Sequence, residues 1–272
     1  MTSAGLGGES ATDRARAWRD GAHAAVCDVL EPWAHGTIAR ATDYPDYWGF
    51  NVVRVEEDPA MSVEELEALA DEALAGLEHR RLDFDVVEPA DALRAGFEAK
   101  GWTAERLLWM RHQAPLPAGL GISVEEVRYD AVLELRTAWH NENFPAADPS
   151  SREAERQRAG RLLSQARAVS MLWDPRVLTV SESGAPIAYA QLEREGAAAE
   201  ITQVYVLPEY RGAGRGTAMT RAAIEAAGDV EDLWIVADDD DRAKKLYARL
   251  GFRPVWTTME LTRPPPPAGG ED

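Results

Sequence analysis

Cysteine is almost missing from this chain: Cys27 is the sole one in 272 residues. No internal disulfide and no two-cysteine metal site can therefore form, and the thiol is expected to be buried on a helix. The five histidines, His23, His35, His79, His112 and His140, show no metal-ligand spacing, so no metal is expected. No Ser-His-acid grouping can be recognised either, which leaves a covalent mechanism unsupported. Positive charge is in short supply. There are 29 basic residues, only Lys100, Lys244 and Lys245 being lysines, against 47 acidic ones, for a net charge of −18. That excess opposes unspecific binding to nucleic acid or anionic membranes and favours approach of a cationic acceptor. No apolar run nears membrane-spanning length. The start, Met1 to Gly8, lacks the charged-then-apolar build of a secretory signal. The expectation is a soluble cytoplasmic protein, monomer or homodimer, with no nucleic-acid or membrane partner.

What the chain does have is a glycine-studded, doubly cationic run, Val204-Tyr205-Val206-Leu207-Pro208-Glu209-Tyr210-Arg211-Gly212-Ala213-Gly214-Arg215-Gly216-Thr217, joining a β-branched segment to a helix. Glycines let backbone N–H groups turn toward a ligand, and the N-terminus of the following helix adds partial positive charge. Arg211 and Arg215 supply full charges for a pyrophosphate. The bland alternative is a surface turn. The loop lacks the Lys-Ser/Thr ending of a P-loop and the G-x-G-x-x-G spacing of a dinucleotide fold, so neither nucleotide reading is supported.

Around the loop, expected strands at 177–180, 187–192 and 200–206 form a meander, with Gly184 in the first hairpin. Helices at about 129–140 and 151–168 precede it. After it come a helix over 217–227, a strand at 233–236, a helix over about 241–250 and a last strand at 255–261. R-x-x-G-x-G after a V-x-V-x-P strand end, in this element order, resembles the coenzyme A signature of the GNAT N-acetyltransferases. The resemblance covers about 120–262. A second motif, Asp240 to Phe252, is similar to the family's N-x-x-A-x-x-L-Y-x-x-x-G-F helix, with Asp240 in the usual Asn position. The resemblance implies an α/β (α+β) fold, a mixed, mostly antiparallel sheet flanked by helices, with acetyl-CoA as cofactor. The implied cofactor residues are Val204, Tyr205, Val206, Arg211, Gly212, Ala213, Gly214, Arg215, Gly216, Thr217 and Asp240.

The first half carries a faint copy of the second at an offset of about 150 residues: Phe84 matches Trp234, Val86 matches Val236, Phe97 matches Tyr247, Gly101 matches Gly251 and Trp102 matches Phe252. An expected strand at 82–87, helix at 90–100 and strand at 102–110 repeat the later order. The copy has lost the cradle. Met61-Ser62-Val63-Glu64-Glu65-Leu66 stands in place of Arg211 to Gly216, and two carboxylates at a helix start repel a pyrophosphate. Phe97 replaces the Tyr247 phenol and Phe50 falls opposite Glu200. The expected organisation is two tandem GNAT-like domains, a cofactor-free 1–117 and a catalytic 118–263, with a disordered tail at 264–272.

Acyl transfer to an amine needs a neutral nucleophile, oxyanion stabilisation and a proton for the departing thiolate. By resemblance, Glu200 is the base, though an ordinary charged strand residue reads the same way. Backbone N–H groups near Tyr205 and Val206 can meet the thioester carbonyl if the strand is bulged there. Tyr247 matches the family's general acid, while an aromatic on a helix also suits a core. In relatives the loop between the first two helices shapes the acceptor site, which nominates Trp139, His140, Glu142 and Phe144. From the first half, Asp43, Tyr44 and Trp48 lie in a stretch of carboxylates and aromatic faces that suits a cation, or equally a turn with a packed aromatic edge. The expected activity is transfer of acetyl to a primary amine of a small, cationic molecule by direct attack. The alternatives are a protein N-terminus or lysine as acceptor, or an acyl-CoA sensor without turnover.

Overall fold

The computed structural model describes residues 9–119, 121–144 and 152–265. Helix α1 (Ala11–Val26) opens on a capping box between Ser10 and Asp13. It leads into β1 (Val29–Trp33), β2 (Gly36–Arg40), β3 (Val52–Val55), α2 (Val63–Ala73), β4 (Arg80–Phe84), α3 (Val87–Glu98) and β5 (Thr103–His112). A short β6 (Glu125–Val127) and α4 (Leu133–Asn143) begin the second half. Then come α5 (Arg152–Ser170), β7 (Arg176–Glu182), β8 (Ala185–Glu195), β9 (Ala198–Val206), α6 (Arg215–Ala227), β10 (Asp232–Asp238), α7 (Ala243–Arg249) and β11 (Phe252–Arg263).

From α1 to β5 and from α5 to β11 the order is the same: helix, three strands, helix, strand, helix, strand. Two local expectations shift. The helix expected from 129 begins as a 3-10 turn over Tyr129–Val132, because Tyr129 and Val132, three apart, are both buried and a three-residue turn aligns them. Cys27 caps the end of α1 rather than lying within it, and its thiol donates to the Phe50 carbonyl at 3.3 Å.

The expected mixed, mostly antiparallel sheet is present, but as one eleven-stranded sheet of order β1-β2-β3-β4-β11-β5-β10-β9-β8-β7-β6. The halves do not keep private sheets, because their closing strands are exchanged. β11 lies against β4 and places Met259 and Leu261 in the core beneath α2 and α3, with Leu66, Leu82 and Phe84. β5 lies against β10 and gives Met110 to the core beneath α6 and α7, with Met219, Ile235 and Phe252. β5 and β11 pair antiparallel at the centre, Leu107 opposite Thr258 and Leu108 opposite Thr257. At the sequence offset Leu107 corresponds to Thr257 and Leu108 to Thr258, so matching residues cross around a local two-fold.

Helix α1 covers this seam on the other face, where Ala15 and Trp18 meet Trp109, Trp234 and Trp256. Burying side chains of this size stabilises by about 1.5–3 kcal/mol each. Asp232 on β10 accepts from Arg14 of α1 at 2.7 Å and forms an ion pair with Arg111 of β5 at 2.5 Å, tying three elements from both halves. Residues 118–272 alone would expose the β10 edge and lose Met110 from their core. We predict that this fragment lacks near-ultraviolet circular dichroism on its own and regains it when co-expressed with 1–117; an independently folded fragment would refute the shared seam.

Candidate active site

β9 and β10 run in parallel from the pair Ala198 and Asp232 to the pair Ile201 and Ile235, and pairing stops there. β9 continues to Val206 and β10 to Asp238, so their C-terminal ends part into a cleft. On the other side of β9, Gln191 of β8 faces Gln203 while Leu192 faces Ile201, which leaves Thr202 as a bulged residue. The bulge thus sits three positions before Tyr205, not at Tyr205 and Val206, which pair regularly with Tyr189 and Ala188. Leu207 N–H donates to the Ile187 carbonyl at 3.0 Å. By ladder alternation Tyr205 N–H also faces β8, and Val206 N–H points the other way, into the cleft. Among the two backbone donors considered, Val206 is the one free to meet an oxyanion.

After β9 the chain turns through Pro208–Tyr210 and reaches Gly212 and Gly214 at φ 83° and 79°, a backbone region costly for side chains. Gly214 caps α6, whose first turn has neither a side-chain cap nor an acidic residue. The amides of Arg215, Gly216 and Thr217 are therefore available to an anion. Ala213 is exposed at the crest of the loop, while Gly216 lies close to Leu246 of α7, where an added Cβ would stand 3.4 Å from Cδ1. The two arginines are less free than their sequence suggested. Arg211 donates to the Val206 carbonyl and, at 2.7 Å, to Glu142, and Arg215 stacks on Tyr210 and reaches Glu182 at 3.5 Å. Backbone amides, not bare guanidiniums, dominate this anion site. Val204 and Val206 pack toward α6, and Asp240 lies exposed with its own N–H turned to Asp238, contributing nothing to the loop.

Tyr247 and Glu200 lie on opposite faces of the sheet. Tyr247 packs on α7 beneath α6 with Phe252 beside it, and burial, helped by Asp241, raises its phenol far above the usual range, so it stays protonated at neutral pH. Glu200 is level with Trp234 and Glu193, under α1, where Trp18 Nε1–H donates to it at 2.6 Å. Burial pushes its carboxyl up to about 7, with a smaller opposing contribution from Trp18 and a smaller reinforcing one from Glu193.

On the Glu200 face, α4, α5 and the first-half segment 46–49 enclose a cavity of about 500 Å³ that reaches β9 at Gln203, beyond the last paired position. Trp48, Trp139, His140 and Phe144 line it as expected. Trp48 stacks on His79 and meets Phe144 edge-on. Burial holds the His140 imidazole below its usual range. The other acceptor candidates are elsewhere. Glu142 is engaged by Tyr205 and Arg211, Asp43 is exposed, and Tyr44 packs with Val26, Ala41 and Val169. Pro264 and Pro265, expected in a tail, line the cavity, and 266–272 lie outside the described residues. Asp46 and Tyr47, from the same acidic and aromatic stretch as Trp48, line it too, whereas Arg136 and Gln203 are lining residues that the sequence did not single out, since nothing in their local pattern separates them from surface or core positions.

Residues 132–252 match the Acetyltransferase (GNAT) family. That stretch, just under half of the chain, is similar to the GNAT acetyltransferases. It is 35% identical over 97 residues to uncharacterized N-acetyltransferases of Mycobacterium tuberculosis and Mycobacterium bovis, covering 34% of this chain and 62% of theirs. The chain thus spans under two thirds of the length of these curated relatives. A functionally unknown conserved protein from Staphylococcus epidermidis shares the fold over 88% of this chain and 95% of its own, with a TM-score of 0.65 and 16% identity. Among its described residues the chain has no helix long and apolar enough to cross a membrane.

Glu200 carries a pH signature. An unfolded carboxyl ionises near 4.5, whereas the folded one holds its proton to about 7. Stability therefore falls as pH rises between these values and levels off above them. Glu200→Gln should stabilise the protein at pH 8 by up to roughly 3 kcal/mol and not at pH 4.5, by chemical denaturation of both proteins. Comparing the pair cancels Glu260, whose carboxyl is likewise pushed up to about 7. An equal effect at both pH values would refute the shift.

Proposed function

We propose that the protein is an acetyl-CoA-dependent N-acetyltransferase acting on a primary amine of a small molecule. The observation that carries this reading is the uncapped, acid-free N-terminus of α6 at the mouth of the β9–β10 cleft. The amides of 215–217 would hold a pyrophosphate, with Gly212 and Gly214 allowing the approach. Coenzyme A, when bound, supplies an acetyl group on a thioester that an amine can attack. In the transfer a carbon–nitrogen bond forms as the carbon–sulfur bond breaks, the amine loses a proton and the sulfur gains one. Val206 N–H is placed to stabilise the oxyanion and Tyr247 Oη holds the proton for sulfur. Glu200, with its carboxyl near 7, is suited to accept the amine's proton, through water where contact is indirect.

We assign the first half, 1–117, no cofactor, and treat 118–263 as the catalytic half of a duplicated pair. The supporting contrast is at α2, which occupies the place of α6. Its N-terminus is closed by its own capping box, Glu65 N–H to Ser62 and Ser62 N–H to Glu65, with Glu64 beside it. As for the acceptor, the cationic class expected from net charge is not echoed inside the cavity. Its charged lining is Arg81, Arg136 and Arg158 against Asp46 and Glu155, so a polycation gains nothing there.

Two variants test the reading. Gly214→Glu adds a carboxylate and a side chain at a positive φ, and should weaken acetyl-CoA binding at least a hundredfold by calorimetry; unchanged affinity would rule out the cradle. Tyr247→Phe should lower kcat with a reactive amine by about a hundredfold at unchanged acetyl-CoA affinity. An unaltered kcat would remove Tyr247 from the chemistry, and absence of thiol release from the unaltered protein with any amine would leave an acyl-CoA-binding protein.

A further inference from the structure

Each charged group lining the cavity has an ionic partner except one. Arg81 pairs with Asp83 and Glu260, Arg158 with Glu78 and Glu155, and Asp46 with Arg161. Arg136, on α4, is only 6% exposed and makes no ion pair among the described residues. Its guanidinium lies 3.8 Å from the ring centre of Tyr129 and 4.8 Å from that of Tyr189, which fixes its plane. One of its N–H groups, on Nη2, donates to Gln191 Oε1 at 2.5 Å, and Nε is buried with no partner. Gln191 is itself held, its amide donating to Ser170 at 3.0 Å and Glu193 at 2.6 Å, so its oxygen is committed to Arg136. Glu193 makes no ion pair with the arginine, acting on it only at longer range, and burial raises its carboxyl above the usual range although Arg136 opposes this.

A buried guanidinium with an unmet N–H, held only by ring faces and one amide oxygen, is costly unless something further meets it. This one faces a cavity large enough for a small molecule, in a scaffold that keeps the planar fork ready. A planar fork matches a carboxylate in two parallel hydrogen bonds. The remaining walls, Trp48, Trp139 and Phe144, are apolar and flat.

We propose that Arg136 binds the carboxylate of the acceptor, which makes the acetylated amine part of a small aminocarboxylate bearing an apolar or aromatic side group. The proposal rests on the acetyltransfer reading for the fate of the amine, but the carboxylate subsite stands apart from turnover. Gln191 is the positioning residue, orienting the fork without touching the ligand.

The test uses the full chain and three probes, L-phenylalanine, phenethylamine and phenylacetate. With saturating acetyl-CoA, thiol release should favour phenylalanine over phenethylamine at least tenfold in kcat/KM. Arg136→Met should abolish that preference while leaving acetyl-CoA affinity unchanged. Calorimetry without cofactor should detect phenylacetate binding to the parent protein and its loss in the variant. Should Arg136→Met not fold, Arg136→Lys keeps the charge but not the fork, and should lose most of the preference. Gln191→Leu should weaken phenylacetate binding and shift KM more than kcat. Arg136-dependent phenylacetate binding without thiol release from any amine would retain the subsite and overturn acetyl transfer. Equal use of phenylalanine and phenethylamine, or phenylacetate binding indifferent to Arg136, would overturn the subsite.

Discussion

The antiparallel pairing of β5 with β11 is the constraint on which the rest of the molecule depends. Each strand closes one half in sequence and completes the other half in space, so the two cores are stitched through a common seam. Helix α1 and its tryptophan cluster seal that seam, and Asp232 clamps it with two arginines. Because β5 takes the place beside β10, the β9–β10 pair is held as an interior part of the sheet. Its parted ends are then a fixed cleft rather than a frayed edge.

The seam also explains how a half without a cradle shapes a site. α1 brings Trp18 to Glu200, and the segment from Asp46 to Gly49 forms one wall of the cavity. The self-capped start of α2 and the wall at 46–49 set the two halves apart, although their element order is the same. One helix N-terminus is closed by Ser62 and Glu65, whereas the other is kept open at Gly214. The energetic logic is the same at both ends, since the first amides of a helix are met by its own side chains, by water or by a ligand.

Electrostatics divides by depth. The whole chain is strongly acidic, yet the cavity lining is slightly basic, because surface carboxylates dominate a count that burial does not weight. The depth also sorts the two candidate proton carriers. Tyr247 is removed from water under α6 and kept neutral, and Glu200 is removed from water under α1 and brought to about 7. They sit on opposite faces, so a substrate that uses both must lie through the cleft where pairing of β9 with β10 has ended.

The glycine loop, the open helix start after it and the core were legible in the amino-acid order because their determinants are local. Gly212 and Gly214 announce positive φ, an acid-free helix start announces open amides, and alternating apolar residues announce β8 to β10 within a few positions. The matching element order of the two halves was legible for the same reason, through the repeated spacing of Phe97 and Gly101 with Tyr247 and Gly251. The exchange of β5 and β11 was not, since a closing strand has the same pattern whichever partner it joins. Nor was the bulge at Thr202, which depends on register between two strands. The cavity gathers Trp48, Arg136, Tyr189 and Gln203 from elements far apart in the chain. Arginine 136 looks like any charge on a polar helix until the sheet buries it. Local backbone chemistry was thus set by sequence alone; which side chains share a dry space was decided by the packing of distant elements, where desolvation gives each its meaning.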